Sequence, residues 1–165
     1  MDVAEGARLD EIEAVYRARY REFLGVAAAF SGSLDGGRDA VHDAFVAAVR
    51  RRSSYRREGT VEAWLWRSVV RSALKRRARD AAAVASIDVD RAPADSDTVA
   101  EAADLRAAIA RLPERQRHVL FLRHYADLDY AAIADALGIS RGTVAASLHA
   151  ARASLKELYE EVAAK

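Results

Sequence analysis

The stretch 130–152, YAAIADALGISRGTVAASLHAAR, constrains the fold more than any other part of the chain. Its apolar residues recur three and four positions apart, up to Leu137 and again from Val144, which predicts two short helices. Gly138 lies between them, where a sharp turn favours the positive φ that glycine adopts without steric cost. The spacing predicts a helix-turn-helix, whose second helix enters the major groove of DNA. An ordinary helical hairpin that only buries a core would show the same spacing.

Composition favours helices and argues against several classes of function. Apolar residues make up 52% of the 165 residues, many of them alanine, and only two prolines occur, which favours helix over sheet. The chain has no cysteine, and its four histidines have no companions at ligand spacing, so we expect no metal, no cofactor and no catalysis. The longest uncharged run has 12 residues, whereas a membrane span needs about 20. We therefore expect a cytoplasmic protein without membrane insertion.

Positive charge is concentrated in one part of the chain. Residues 50–80 carry 11 basic and three acidic side chains, whereas residues 81–104 carry one basic and six acidic. Such a block is expected of a protein that contacts phosphates with one face. A solvated helix face is the alternative, and it is the commoner origin of a charge run.

Apolar periodicity predicts an all-α protein of two small helical domains. A three-helix bundle is expected in residues 1–80, with breaks at 31–37 and 53–59 and with Thr60 as the N-cap of the third helix. A four-helix domain with the helix-turn-helix is expected in residues 98–165, with Thr98, Pro113, Asp129 and Ser140 at helix starts. Residues 81–97 predict a flexible acidic linker, although its alanine-rich start can extend the third helix.

Aromatic side chains interleave with the arginines of the basic block. Aromatic faces capture bases once they unstack, while cations follow the phosphate backbone. Trp64 is in phase with Leu65 and Val69, so we expect Trp64 in the core. Trp66 and Tyr55 are then expected on the surface, where they could contact nucleotides.

With these motifs the chain resembles the extracytoplasmic-function sigma factors of bacterial RNA polymerase, in the sigma-70 family. The stretch LPERQRHVLFLRHYADLDYAAIADALGISRGTV (112–144) is similar to the family's fourth region, which reads the promoter −35 element. RDAVHDAF (38–45) and AWLWRSVVRSALKRRAR (63–79) are similar to its second region, which docks on the polymerase clamp and opens the −10 element. The resemblance implies core polymerase and promoter DNA as partners, and an anti-sigma factor that holds the protein inactive.

The residue patterns and the resemblance together predict three sets of site residues. Those for the −10 element are Tyr55, Arg56, Arg57, Trp66, Arg67, Arg71 and Lys75, with the 53–59 loop holding a flipped base. Those for the clamp helices are Asp39, His42 and Asp43, with His42 in place of the usual Gln. Those for the −35 element are Arg123, Arg141, Thr143, Ser147, His149 and Arg152, and part of the surface around Leu112, Val119, Leu120 and Leu122 would bind the polymerase flap.

The chain departs from the family pattern in both regions. Ala145, Ser147 and Ala150 occupy positions that are usually basic, and each lost contact weakens DNA binding and its salt dependence. Arg71 and Lys75 replace a usual Asn and Asp, which adds positive charge. We therefore expect weaker reading of the −35 element and greater reliance on the second region.

The same sequence features are compatible with two other functions. One is a free-standing helix-turn-helix regulator, which would usually dimerise and bind duplex DNA alone. The other is a degenerate sigma-like decoy that acts only through protein contacts, which the alanine-rich recognition helix would suit.

Overall fold

The computed structural model describes residues 6–83 and 99–164, in which all the regular secondary structure is helical and no strand occurs. The helices are α1 (Leu9–Ser31), α2 (Leu34–Arg51), α3 (Val61–Ala83), α4 (Val99–Arg111), α5 (Glu114–His124), α6 (Tyr130–Leu137) and α7 (Arg141–Ala163). The chain divides into two compact units, residues 1–92 and 93–165. The predicted all-α, two-domain class is confirmed. Residues 81–83 continue α3, whereas most of the predicted linker and the Thr98 cap lie outside the described residues.

Helices α1, α2 and α3 pack around an aromatic core in the first unit. Phe23 of α1 has its ring centroid 4.3 Å from that of Trp66 and 5.3 Å from that of Phe45. Phe23, Phe30 and Trp66 are fully buried. Because each such ring removes about 150–250 Å² from water, a few aromatic side chains supply much of the stabilisation of this small bundle.

The turn between α1 and α2 is tighter than the sequence predicts. The helix is broken only at Gly32 and Ser33, and the Ser33 hydroxyl accepts a 3.0 Å hydrogen bond from the Gly36 N–H. The predicted start of α2 near residue 38 is therefore wrong by four residues. Gly37 lies inside α2, where a Cβ would be 2.6 Å from the backbone nitrogen of Ala28 in α1. This glycine permits close helix packing and does not end a helix.

In the second unit α4, α5 and α6 each pack against α7. Leu122, Ile133, Val144 and Leu148 are buried in this core. The α5 helix begins at Glu114, one residue after the predicted start at Pro113.

The helix-turn-helix forms as the local signals predict. Asp129 accepts a 2.7 Å bond from the Ala132 N–H, and Ser140 accepts a 3.0 Å bond from the Thr143 N–H. Gly138 has φ 67°, in the left-handed region that favours glycine.

None of the helices in the described ranges combines the length and the hydropathy that a membrane span requires.

Candidate functional site

The three residues predicted to face the polymerase lie together on the exposed side of α2. Asp39, His42 and Asp43 are all exposed, with 61% of the Asp39 side chain and 54% of the Asp43 side chain accessible. Arg76 of α3 contacts both carboxylates: its Nη1 is 3.2 Å from Asp39 Oδ2 and its Nη2 is 3.3 Å from Asp43 Oδ2. The sequence did not single out Arg76, because pairing across α2 and α3 depends on how the two helices pack.

An apolar groove adjoins this cluster. His42, Phe45, Val46, Val49 and Arg50 of α2 line it together with Tyr16 of α1. The Tyr16 and Phe45 rings meet edge to face, with centroids 4.7 Å apart. Burial raises the pKa of the Tyr16 hydroxyl, so this hydroxyl stays neutral at physiological pH. The surface combines two carboxylates with an apolar strip, which suits a partner that presents cationic and apolar side chains.

The residues predicted for the −10 element separate into exposed cations and buried aromatics. Arg56, Arg57, Arg71 and Lys75 are exposed, and Arg67 is half-buried. Trp66 is completely buried, and its Nε1–H donates to Glu62 Oε1 at 3.4 Å. The expectation that Trp66 lies on the surface is therefore wrong. Its indole packs against Phe23, and in this fold it cannot stack on a nucleotide base.

Tyr55 is also buried, with 6% of its surface exposed. Its hydroxyl donates a 2.9 Å hydrogen bond to the Gly59 carbonyl, and burial raises its pKa. The ring lies against Trp64, with centroids 5.2 Å apart. Trp64, expected in the core, is only half-buried. The predicted exposure of Tyr55 is wrong, because this side chain closes the 55–59 turn and does not project from it.

Gly6 and Ala7, which precede α1, contact Arg52, which precedes the 55–59 turn. The Ala7 N–H donates to the Arg52 carbonyl at 2.9 Å, and a Cβ on Gly6 would collide with that same oxygen. Arg57, at φ 54°, donates to the Gly6 carbonyl at 3.4 Å and forms a 3.5 Å ion pair with Glu11. The hydrogen bond from the Arg8 N–H, together with the charge of Arg57, lowers the pKa of Glu11. Glu11 therefore offsets part of the positive charge of Arg57, one of the residues predicted to bind DNA. The sequence alone does not indicate this ion pair.

The residues predicted for the −35 element occupy two flanks of α7. Val144, Leu148 and Ala151 are buried, and successive helix positions rotate by about 100°. One flank carries the exposed side chains of Arg141, His149 and Arg152, and the other carries the half-buried Thr143 and Ser147. The structure therefore does not gather these five residues into a single cluster.

Arg123, the remaining residue predicted for the −35 element, is engaged at the end of α5. It donates to the Leu128 carbonyl at 3.1 Å and lies 3.7 Å from the Asp127 carboxylate. Its guanidinium supports the connection between α5 and α6 in this structure.

An open hollow of about 660 Å³ lies between the starts of α5 and α7. Thr143 and Ser147 line it with Arg115 and Gln116 of α5, two residues that sequence reasoning missed. Within the described residues the Gln116 Oε1 is buried and lacks a hydrogen-bond partner. In those same ranges no three His, Cys, Asp or Glu side chains are grouped so that they could hold a metal ion. The polar side chains that line the hollow at the start of α7 are therefore Arg115, Gln116, Ser140, Thr143 and Ser147.

Two family models match the chain, one in each unit. Sigma-70 region 2 matches residues 15–83, and sigma-70 region 4 matches residues 102–155. The ECF RNA polymerase sigma factor SigM of Mycobacterium tuberculosis is 31% identical over 146 residues, which cover 87% of this chain and 74% of that protein. The RNA polymerase sigma factor YlaC of Bacillus subtilis is 27% identical over 158 residues, covering 90% of this chain and 91% of YlaC.

A solved structure has a similar fold. The sigma factor RpoE of Bartonella quintana, crystallised with the anti-sigma factor NepR, superposes with a TM-score of 0.69 at 24% identity. The match covers 92% of this chain and 95% of RpoE.

Proposed function

The chain belongs to the extracytoplasmic-function class of the sigma-70 family and is an alternative sigma factor that directs transcription initiation, and we propose that its two units divide this task. The first unit binds core RNA polymerase and the −10 element, and the second binds the −35 element. The observation that carries this proposal is the order of the two matched regions along one chain, 15–83 and then 102–155.

Polymerase binding is assigned to the exposed face of α2. Asp39, His42 and Asp43 lie beside the apolar groove at Phe45 and Val49. Carboxylates next to an apolar strip suit a partner that presents cationic side chains. Ion pairs across such an interface speed encounter and fix register more than they add affinity. We expect this protein to have no catalysis of its own and to act only with core polymerase.

Contact with the −10 element is assigned to the cations and not to the buried aromatics. The exposed Arg56, Arg57, Arg71 and Lys75 are suited to follow the phosphates of the separated strand. Tyr55 and Trp66 contribute indirectly, because one closes the turn and the other fills the core. The half-buried Trp64 is the aromatic side chain of this segment that can still meet a base.

Contact with the −35 element is assigned to both flanks of α7. Arg141, His149 and Arg152 would contact phosphates on one side, and Thr143 and Ser147 would act with Arg115 on the other. Ala145, Ala146 and Ala150 contribute no charge. Because each missing phosphate contact weakens binding and its salt dependence, the second unit alone would bind DNA weakly. Attachment to polymerase would then supply the effective concentration that the helix needs.

The solved complex of RpoE with NepR supports one further partner. We propose that a cognate anti-sigma factor holds this chain inactive, and that the released protein acts at the nucleoid in the cytoplasm.

Reconstitution with core polymerase tests the proposed function. The purified chain should co-elute with core enzyme, and the complex should initiate at promoters that core enzyme alone ignores. Permanganate should then detect unpaired thymines at the −10 element. A chain that ignores polymerase yet shifts duplex DNA would be a free-standing regulator. A chain that binds polymerase without initiating at any promoter of a genomic library would be a decoy.

A further inference from the structure

Arg76 holds two like charges together on the surface assigned to polymerase. Asp39 and Asp43 are four residues apart on α2, a spacing at which two carboxylates repel each other. Arg76 reaches both from α3, through Nη1 at 3.2 Å and Nη2 at 3.3 Å. One guanidinium therefore joins two acids that belong to a different helix.

The arginine is more buried than the acids that it joins. Only 22% of its side chain is exposed, against 61% for Asp39 and 54% for Asp43. Its Nε is buried and has no hydrogen-bond acceptor among the residues the structure describes. The side chain is thus mostly buried where α3 meets α2, and its two terminal nitrogens reach the two acids. Each ion pair uses one carboxylate oxygen, the Oδ2, so the Oδ1 of each acid can accept a bond from a partner.

We propose that Arg76 is a positioning residue for polymerase docking, which presets Asp39 and Asp43 in the arrangement that a cationic partner surface recognises. This inference rests on the proposed function, since it assumes that the two acids face polymerase. Such positioning pre-organises the docking surface, because side chains that are ordered before binding lose less conformational entropy on binding. The rigid fork of arginine can bridge two carboxylates, whereas the single ammonium of lysine cannot hold the same geometry.

Simple electrostatics predicts the opposite effect. The Arg76, Asp39 and Asp43 group carries a net charge of about −1, and loss of the arginine would leave about −2. If attraction to a basic partner were decisive, removal of Arg76 would tighten binding. If positioning is decisive, removal weakens binding even though the acidic charge grows. The two explanations therefore predict changes in affinity of opposite sign.

The test measures the affinity of fluorescently labelled variants for purified core RNA polymerase. Arg76→Met keeps the apolar stem and removes the fork, and Arg76→Lys keeps the charge. We expect Arg76→Met to weaken binding about three- to tenfold, as expected for the loss of two partly exposed ion pairs. Arg76→Lys should give an intermediate loss of about twofold. Arg21→Met, at an exposed residue of α1, removes the same charge and should leave the affinity unchanged.

A double-mutant cycle separates positioning from a purely structural role. In the Asp39→Asn, Asp43→Asn background, Arg76→Met should change the affinity by less than about twofold, because nothing remains to be positioned. Melting followed by tryptophan fluorescence checks that each variant is folded. Should Arg76→Met reduce folding, Arg76→Lys in the same cycle retains the stem and the charge.

Each remaining outcome has a distinct meaning. Unchanged or tighter binding by Arg76→Met, with weaker binding by the Asp39, Asp43 double variant, overturns the positioning role and leaves the docking surface in place. An equal loss from Arg76→Met with and without the acids also overturns it. If the double acid variant itself binds normally, the docking assignment fails.

Discussion

Gly37→Ala should destabilise the first unit, although alanine is the better helix former. The added Cβ would lie 2.6 Å from the Ala28 nitrogen, 2.7 Å from its Cα and 3.0 Å from its Cβ. Carbon contacts are comfortable at about 3.5–4.0 Å, so α1 and α2 would have to separate by about 1 Å. Overpacking lowers the free energy of unfolding by about 1–3 kcal/mol. We expect a loss near the upper end of this range, because the two nearest atoms belong to the Ala28 backbone. Alanine recovers at most about 1 kcal/mol of helix propensity.

The net loss is therefore about 2 kcal/mol, which lowers the Tm of a unit this size by roughly 10 °C. Tryptophan fluorescence is the appropriate assay, because Trp64 and Trp66 are the two tryptophans of the chain and both lie in the first unit. Gly142→Ala is the matched control. Its Cβ would meet only the Ser140 hydroxyl, at 3.8 Å, so the tryptophan transition should not move. An unchanged or higher Tm for Gly37→Ala would show that the close approach of α1 and α2 is not as described.

Three other perturbations test separate features of the first unit. Trp66→Ala should cost about 3–5 kcal/mol in urea unfolding, as for a fully buried aromatic, whereas Trp64→Ala should cost clearly less; equal losses would contradict their different burial. Reversal of Arg56 and Arg57 to Glu should abolish permanganate reactivity at the −10 element and leave core binding intact; unaltered footprints would argue against the assignment. Glu11 has a lowered pKa in the folded protein, so the stabilisation from its carboxylate is present above the unfolded pKa and is lost as the pH falls through the lower folded value. Glu11→Gln should therefore flatten the decline in the free energy of unfolding below about pH 4.5. An unchanged decline would show that the contacts of Glu11 with Arg8 and Arg57 contribute nothing to stability.

The second unit shows how much a sequence can predict when its signals are local. Asp129 and Ser140 each bond a backbone N–H three residues ahead, and Gly138 needs only its own φ. These interactions are complete within one turn of chain. The helix-turn-helix and its caps were therefore predictable before any packing was known.

The orientation of α3 was not predictable in the same way. Residues 64–66 and 69–70 are consecutive apolar positions, so two rotations of the helix satisfy the same periodicity. Phe23 of α1 selects the rotation that buries Trp66. A residue from another helix decides which tryptophan is in the core, and sequence spacing within α3 carries no information about that neighbour.

The sequence alone determined the all-α class, the helix-turn-helix, the basic block and the family resemblance, because composition, caps and periodicity act over a few residues. The roles of Gly37 as a packing residue, of Glu11 as a partner of Arg57 and of Arg76 as a link between Asp39 and Asp43 follow from how the helices pack. Each of these contacts joins segments 9 to 46 residues apart. They depend on how close the helices approach and how they are rotated, which are set by the shape of the packed core and not by local preference.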